Sequence, residues 1–198
     1  MHNVMLDLET MGKGPRAAIV TIGAVFFDPM TGELGAEFEA HIDLRDSARF
    51  GEIDPDTVLW WLGQSDDARA ALKPSGKSQQ LDDALWGLYE WMVNGSEGND
   101  GNLKVWGNGA SFDDVILRNA CQQTRVPPAW SYWNDRDVRT VVDMGRDLLG
   151  FDPKKDMPFE GVAHRALDDA KHQARYVSAI YQRMLAAMNG YGMAGGKA

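Results

Sequence analysis

A chain of 198 residues with 44% hydrophobic residues is long enough to bury a core of its own, and 25% charged residues is ordinary for a globular protein. The single cysteine, Cys121, excludes an intrachain disulfide, and no stretch approaches the ~18 apolar residues of a membrane helix. The formal net charge of −9 counts against a protein that coats nucleic acid with a basic surface, but not against a site where divalent cations offset the acids.

The N-terminal part of the chain predicts three β-strands joined by short turns. Residues 3–9 read as a buried strand, residues 18–28 are rich in β-branched and aromatic side chains, and residues 36–42 alternate like a half-buried strand. The segment DPMTG supplies the turn between the second and third strands. Consecutive strands with connections this short predict an antiparallel meander.

The rest of the chain predicts helices and two further strands. Asp54-Pro55 starts a helix, because proline is favoured in the first helical turn. Periodicity and capping signals add helices at 79–93, from a Ser111 cap to about 124, at 138–149 and at 164–187, strands at 103–107 and near 133–136, and an irregular loop at 150–162. We therefore predict an α/β fold with one mixed sheet flanked by helices, in a single domain over residues 1–188 with a flexible tail at 189–198.

Two carboxylates share one face of the first predicted strand. Residues two apart in a strand point the same way, so Asp7 and Glu9 can converge on one cation. A buried carboxylate is costly unless it is paired or bound to metal. The pair therefore indicates either a metal site or the pairing of one acid with a buried arginine and of the other with solvent at the strand end.

Asp113 stands at the start of a predicted helix. Ser111 followed by Asp114 resembles a capping box, which gives Asp114 a structural role. Asp113 is left with two interpretations. It is either an acid that stabilises the first helical turn through the helix dipole, or a functional group presented after a short strand.

The segment HRALDDAKHQA begins the last predicted helix with a histidine and two adjacent acids. At ~100° per residue, Asp168 lies about 170° from the centre of the apolar stripe and should face water, whereas Asp169 lies about 90° away, at the edge of the stripe. A half-buried acid at this border suits a metal ligand, so we predict Asp169 as the functional residue. His164 precedes the regular turns, and a polar residue at the helix start is the alternative interpretation.

Taken together, these motifs resemble those of the DEDDh 3′-5′ exonucleases of the ribonuclease H-like superfamily. They are D-x-E on the first strand, F-D at a helix start after a short strand, and H-x-x-x-x-D at the start of the last helix, and the resemblance spans residues 4 to 185. The segments TVLWWL and RDVRT make the chain most similar to the phage and bacterial exodeoxyribonuclease VIII-like group, which is related to ribonuclease T. The resemblance implies a ribonuclease H-like fold with a mixed five-stranded sheet, in which parallel strands extend the three-strand antiparallel meander.

The resemblance also implies two-metal-ion catalysis. It assigns the ligands of two Mg²⁺ ions, with Mn²⁺ as a substitute, to the carboxylates of Asp7, Glu9, Asp113 and Asp169. Hard carboxylate oxygens suit such cations better than zinc. His164 would be the general base that takes a proton from the attacking water. The implied reaction is hydrolysis of DNA, at single strands or 3′ ends, to nucleoside 5′-monophosphates.

Several residues are candidates for substrate contacts, namely Thr10, Met11, Trp60, Trp61, Asn108 and Arg165. Met11 is expected to lie under the terminal base, with packing at the strand end as the alternative. Trp60 and Trp61 are adjacent and cannot both enter the same core face, so one is a candidate platform for base stacking, with packing or an interface as the alternative. Arg165 is expected to contact a phosphate.

Other functions stay open at this point. A 3′-5′ exoribonuclease acting on short RNA or RNA 3′ ends would need contacts to the 2′-hydroxyl, which the sequence does not locate. A catalytically silent ribonuclease H-like binding module would usually have lost an acid or the histidine, and all five are present. A phosphatase of small molecules would ignore oligonucleotides. The expected partner is nucleic acid, DNA before RNA, with no membrane contact and with a homodimer left open. The expected location is the cytoplasm of a bacterium, or of its host if the chain is phage-encoded.

Overall fold

The computed structural model describes residues 1–70, 72, 78–96 and 100–194 of the chain. Its strands are β1 (Asn3–Thr10), β2 (Ile19–Phe27), β3 (Leu34–His41), β4 (Lys104–Gly107) and β5 (Asp135–Asp137). Its helices are α1 (Leu44–Ser47), α2 (Pro55–Leu62), α3 (Asp66–Ala70), α4 (Leu81–Gly95), α5 (Asp113–Thr124), α6 (Val138–Leu149), α7 (Pro153–Asp156) and α8 (Ala166–Ala194).

The five strands form one mixed sheet in the order β3-β2-β1-β4-β5. β1 pairs antiparallel with β2, and β2 pairs antiparallel with β3, which is the predicted meander. β4 joins β1, and β5 joins β4, in parallel register. The prediction of an α/β fold with a mixed five-stranded sheet and flanking helices is therefore confirmed.

Helices cover both faces of the sheet. One core cluster joins residues of β1 and β2 to α4 and α5, including Leu85, Leu88 and Leu117. The cluster on the opposite face joins Val25 and Val177, together with other residues of the sheet, α6 and α8. All nine residues of β2 are buried, because this strand lies between two neighbouring strands and beneath helices on either side.

Alternation along β1 separates its acids from the apolar residues on the other face. Leu6 and Leu8 belong to the core beneath α4 and α5, whereas Met5 belongs to the core beneath α6 and α8. Asp7 and Glu9 lie two and four residues after Met5 and so share its side of the strand. The central strand therefore directs both carboxylates towards α8.

A glycine on β2 lets α8 come close to these acids. Gly23 pairs with Asp7 across the β1–β2 ladder. A Cβ at position 23 would lie 2.3 Å from the carbonyl carbon of Ala166 and 2.3 Å from the amide nitrogen of Leu167, which are the first residues of α8. The start of α8 thus rests on the sheet backbone directly beside Asp7.

Three short helices were not predicted, because four or five residues are too few to establish a periodicity. They are α1, α3 and α7, and α7 lies inside the predicted irregular loop at 150–162. The last helix begins at Ala166 and continues to Ala194. It therefore extends into the predicted tail at 189–198, whose last four residues lie outside the described part of the chain.

The prediction that Ser111 caps α5 is wrong. The residue before the helix is Phe112, with φ −110° and ψ −74°, and it forms no side-chain capping bond. Asp114 is fully buried, its two carboxylate oxygens have no hydrogen-bond partner, and burial raises its pKa to about 8. Tertiary packing around residues 107–112 replaces the local capping box.

Within the described residues, no helix combines the length and the apolarity that crossing a membrane requires.

We expect Gly23→Ala to destabilise the protein by about 1–3 kcal/mol, because the added methyl group meets backbone atoms that no side-chain rotation can move aside. Gly14→Ala is the matched control, since a Cβ there meets nothing within 4 Å. Urea denaturation measures both free energies of unfolding. If Gly23→Ala unfolds at the same urea concentration as Gly14→Ala, the close approach of α8 to β2 is not a constraint.

Candidate active site

The residues predicted to be catalytic line one cleft of about 280 Å³ between β1, the start of α5 and the start of α8. The cleft is lined by Asp7, Leu8, Glu9, Asn108, Phe112, Asp113, Arg139, His164, Asp169 and Gln173. Residues more than a hundred positions apart along the chain are thus brought together by the sheet and its two helices.

Three of the acids lie close enough to bind the same cation. Asp7, Glu9 and Asp169 each present a carboxylate oxygen, and these oxygens lie within 4.8 Å of one another. Hard oxygen donors grouped in this way suit Mg²⁺ or a similar divalent ion.

Asp113 supplies the fourth acid from the other side of the cleft. Its Oδ1 accepts a hydrogen bond from the Leu8 N–H at 3.3 Å, which ties the first turn of α5 to β1. Gly107 leaves room for it, since a Cβ there would lie 3.2 Å from the Asp113 side chain.

The electrostatics of the cluster favour a bound cation. Burial, and then the charges of Asp113, Glu9 and Asp169, raise the pKa of Asp7 well above its usual value. Burial and neighbouring carboxylates raise the pKa of Glu9 to about 8. Burial also raises the pKa of Asp113 to about 7 and raises the pKa of Asp169. Four such groups bind either protons or cations at neutral pH, because their negative charges repel one another at short range.

A hydrogen bond to Asp169 positions the histidine. The backbone N–H of His164 donates a hydrogen bond to Asp169 Oδ2 at 2.7 Å. His164 has φ +65°, a left-handed conformation that non-glycine residues adopt only when surrounding contacts impose it. The ring centroid lies 5.1 Å from that of Trp60 and 6.4 Å from that of Trp61, in edge-to-face contact.

Asp168 does not face water as predicted. Its Oδ2 accepts a hydrogen bond from the Val162 N–H at 3.0 Å, and its side chain packs against Gly161, where a Cβ would lie 2.7 Å from the carboxyl carbon. The helical repeat places Asp168 on the outer face of α8, but the loop before the helix folds back over that face and covers its side chain. Asp168 therefore anchors the loop that carries His164.

Gln173 is a site residue that the sequence analysis missed. It is buried, and its Nε2 donates a hydrogen bond to Asp7 Oδ1 at 2.8 Å. It follows Asp169 by four residues, so both lie on the same face of α8. That spacing, applied to polar residues as well as to acids, would have identified Gln173 from the sequence.

A second cleft, of about 250 Å³, adjoins the acids. It shares Leu8, Glu9 and Phe112 with the acidic cleft and is otherwise lined by Thr10, Gly12, Lys13, Thr57, Trp60 and Trp61. Trp61 is buried, and its indole N–H donates to the Thr10 carbonyl at 3.0 Å. Trp60 is 44% exposed, so of the tryptophan pair it is the ring that remains available for stacking.

The expectation for Met11 is wrong. Its side chain is 5% exposed and packs in a small core cluster with Val20 and Trp61. The pairing of β1 with β2 becomes irregular between Glu9 and Thr10, so strict alternation does not carry Met11 onto the face that holds the acids.

Arg165 is not among the residues that line the acidic cleft. Its Nε lies 3.4 Å from Glu39 Oε1 and its Nη1 lies 4.0 Å from Asp168, and the residue lines a neighbouring groove. The cation in the acidic cleft is Arg139 instead. Asn108 does lie in the cleft, and its side-chain oxygen is buried without a hydrogen-bond partner.

Comparisons with known proteins agree with this geometry. A family model described as the Rv2179c-like 3′-5′ exoribonuclease domain matches residues 2–181. An exodeoxyribonuclease of Enterobacteria phage T4 is 25% identical over 194 residues, which cover 85% of this chain and 84% of that protein.

Two solved structures illustrate the shared fold. The nuclease domain of 3′hExo, a DEDDh family member bound to rAMP, superposes with a TM-score of 0.60 at 17% identity, covering 93% of this chain and 92% of that one. Exonuclease I of E. coli in complex with a dT13 oligonucleotide has a TM-score of 0.65 at 16% identity and 94% coverage of this chain, which spans 42% of the exonuclease I chain.

We expect the metal-free protein to lose stability as pH rises from 6 to 8.5. The acids of the cluster, with pKa values raised to about 8 at Glu9 and about 7 at Asp113, hold protons in the folded state that they release in the unfolded chain. Each group therefore stabilises the fold at low pH, and this contribution disappears as pH passes through the raised pKa.

Chemical denaturation in a chelator measures this dependence. Glu9→Gln should lose less stability than the wild type over the same pH range, because one of the titrating groups is gone. A wild-type stability that is constant or rises over this range would contradict the electrostatic description of the cleft.

We expect Asp168→Ala to free the histidine loop while leaving the metal ligands in place. Loss of one hydrogen bond should speed hydrogen exchange at the Val162 amide by about 5- to 10-fold, with Mn²⁺ affinity retained. Asp147→Ala, at an exposed position of α6, is the control. Unchanged exchange at Val162 would show that Asp168 does not hold the loop.

Proposed function

Because the chain belongs to the Rv2179c-like 3′-5′ exoribonuclease domain family and is a divalent-metal-dependent 3′-5′ exonuclease, we propose that the acidic cleft is its catalytic centre. The observation that carries the proposal is the convergence of Asp7, Glu9 and Asp169 within 4.8 Å, with Asp113 and His164 in the same cleft. We further propose Mg²⁺ as the native cation and Mn²⁺ as its substitute, on the hard-oxygen donor set.

The residues present fit a pair of divalent cations. Asp7, Glu9, Asp113 and Asp169 would hold them, and burial together with the neighbouring negative charges raises the pKa of Asp7 and of Glu9, a cost that bound cations would offset. Such cations, when bound, supply the charge that activates water and stabilises the entering and leaving oxygens of a phosphoryl displacement. Gln173 fixes one oxygen of Asp7 through its hydrogen bond.

His164 is proposed as the general base. Its imidazole lines the cleft beside the acids, and its backbone is held by Asp169. The imidazole there would take the proton of the attacking water as the phosphodiester bond breaks. The products are a nucleoside 5′-monophosphate and a strand shortened by one nucleotide at its 3′ end.

The cleft beside Trp60 and Thr10 is proposed to hold the terminal base. Its volume of about 250 Å³ and the exposed face of Trp60 suit a single unstacked base, whose stacking on an aromatic ring contributes about 1–3 kcal/mol. This arrangement favours a single-stranded 3′ end, since a paired base would first have to leave its duplex.

We propose DNA as the preferred substrate, supported by the match along most of its length to the phage T4 exodeoxyribonuclease. RNA is the second candidate, because the family is described as an exoribonuclease. The two differ at the 2′-hydroxyl, which a protein reads by hydrogen bonding or by steric exclusion. The cytoplasmic location and the homodimer stay predictions of the sequence.

We expect 5′-labelled single-stranded oligonucleotides to be shortened from the 3′ end in Mg²⁺ and left intact in chelator, with DNA degraded faster than RNA. Asp7→Asn should abolish the reaction, and His164→Ala should slow it by roughly 10²–10⁴. Asp147→Asn, a charge-matched change on the exposed face of α6, should leave the rate unchanged.

A circular single strand should survive, and the released product should be the nucleoside 5′-monophosphate. Degradation of the circle, or full activity in Asp7→Asn, would contradict the proposed catalytic centre. Faster degradation of the RNA oligomer would reverse the choice of substrate and leave the catalytic centre intact.

A further inference from the structure

The acidic cleft is lined by one arginine, Arg139, that has no role in the proposed chemistry. Arg139 is the second residue of α6 and lines the cleft together with Asn108 and Asp113. Among the residues that the structure describes, none forms an ion pair or a hydrogen bond with its guanidinium group. An exposed arginine directed into a cleft full of carboxylates, and paired with none of them, is available for another anion.

The backbone is shaped to admit this side chain. Gly109 has φ +109°, a conformation that side-chain-bearing residues rarely adopt. A Cβ at that position would lie 2.9 Å from Cζ of Arg139 and 3.0 Å from its Nη2. The guanidinium group therefore lies directly against the backbone of Gly109, in space that any other residue would fill.

The Asp137 carboxylate contacts both the turn that contains Gly109 and the start of α6. Asp137 Oδ1 accepts the Thr140 N–H at 2.9 Å and caps α6, while Oδ2 accepts the Ala110 N–H at 2.8 Å. Both oxygens are thus occupied by backbone amides, so Asp137 does not capture Arg139. Asp137 therefore ties the loop that contains Gly109 to the start of the helix that carries Arg139.

Arg139 lies on the Asp113 side of the cleft. Asp113 packs against Gly107 and the Arg139 guanidinium packs against Gly109, so both residues lie beside the same turn. Arg139 lines the acidic cleft and is not among the residues that line the cleft beside Trp60.

Arginine suits the anion that must occupy this cleft. Its planar guanidinium donates two parallel hydrogen bonds to the oxygens of a phosphate and remains charged at any working pH. The carboxylates would be engaged by cations during the reaction, which leaves the non-bridging phosphate oxygens as partners for Arg139.

We propose that Arg139 binds a non-bridging oxygen of the scissile phosphate from the Asp113 side of the cleft, and that residue 109 is glycine to admit it. This inference rests on the proposed function, because it names a substrate contact of the same catalytic centre. Arg139 is thus a substrate-binding residue in the place where the sequence analysis expected Arg165.

The test is binding of 2′-deoxyadenosine 5′-monophosphate, measured by calorimetry in the presence of Ca²⁺. The phosphate of this product is the former scissile phosphate. Arg139→Ala should bind it about 10- to 100-fold more weakly than the wild type, which is the value of a charge-assisted hydrogen bond. Arg139→Lys should recover part of the loss, and binding of deoxyadenosine, which lacks the phosphate, should not change.

Lys104→Ala is the control for the loss of one positive charge. Lys104 is exposed at the start of β4, the opposite end of that strand from Gly107. Equal loss of affinity in Lys104→Ala and Arg139→Ala would assign the effect to net charge and overturn the proposal. Unchanged affinity in Arg139→Ala would overturn it directly.

Salt dependence of oligonucleotide degradation gives an independent readout. Removing one phosphate contact should reduce the slope of log(kcat/KM) against log salt by about 0.7 in Arg139→Ala, with no change in Lys104→Ala. A slope equal to that of the wild type would contradict the contact. A wild-type protein that releases no mononucleotide would refute the proposed function, whereas an active wild type with an unaffected Arg139→Ala variant would refute only this inference.

Discussion

Four carboxylates, two of them buried and two half-buried, crowd into one cleft, and this crowding is the constraint around which the molecule is built. Asp7, Glu9 and Asp169 meet within 4.8 Å, and Asp113 joins them in the same cleft. Burial, and then the charges of the neighbouring carboxylates, raise the pKa of Glu9 to about 8, so without cations the four acids are not all ionised at neutral pH. The proposed function gives this cost at the central strand a purpose, because divalent cations bound there would offset the negative charge.

The close packing of α8 on the sheet, which brings the carboxylates together, also fixes their positions relative to one another. The start of α8 rests on Gly23, which pairs with Asp7, so the acid on the helix and the acid on the strand are fixed by a backbone contact. Gln173 then orients the Asp7 carboxylate from one turn further along α8. Asp168 and Asp169 accept hydrogen bonds from the backbone N–H groups of Val162 and His164 in the loop before α8. The proposed metal ligands, the proposed base and the residues that support them are therefore parts of one strand–helix junction.

Much of this arrangement could be predicted from sequence because it follows strict periodicities. The two-residue repeat of a strand places Asp7 and Glu9 on one face, and the helical repeat places Asp169 at the border of the apolar stripe. The order of the predicted strands and helices indicated a mixed sheet, and the resemblance added its parallel strands. The same periodicity would have identified Gln173, had polar residues other than acids been considered.

The failures occur where tertiary contacts replace local rules. Met11 was placed under the terminal base by resemblance, whereas its side chain packs into a small core cluster with Trp61, which was the alternative interpretation. Ser111 lies in a turn held by Asp137, a residue from another strand, and not in a self-contained capping box. Arg165 forms an ion pair with Glu39 of β3. Arg139 lies in the cleft because Gly109 leaves space for its guanidinium group, and no sequence motif indicates the conformation of that glycine.

The most direct measurement is anomalous diffraction from crystals of the protein soaked in Mn²⁺. We expect two manganese peaks in the acidic cleft, with ligands drawn from Asp7, Glu9, Asp113 and Asp169. A cleft without manganese, or with manganese bound only at surface acids elsewhere, would contradict the central claim that these carboxylates exist to hold the catalytic cations.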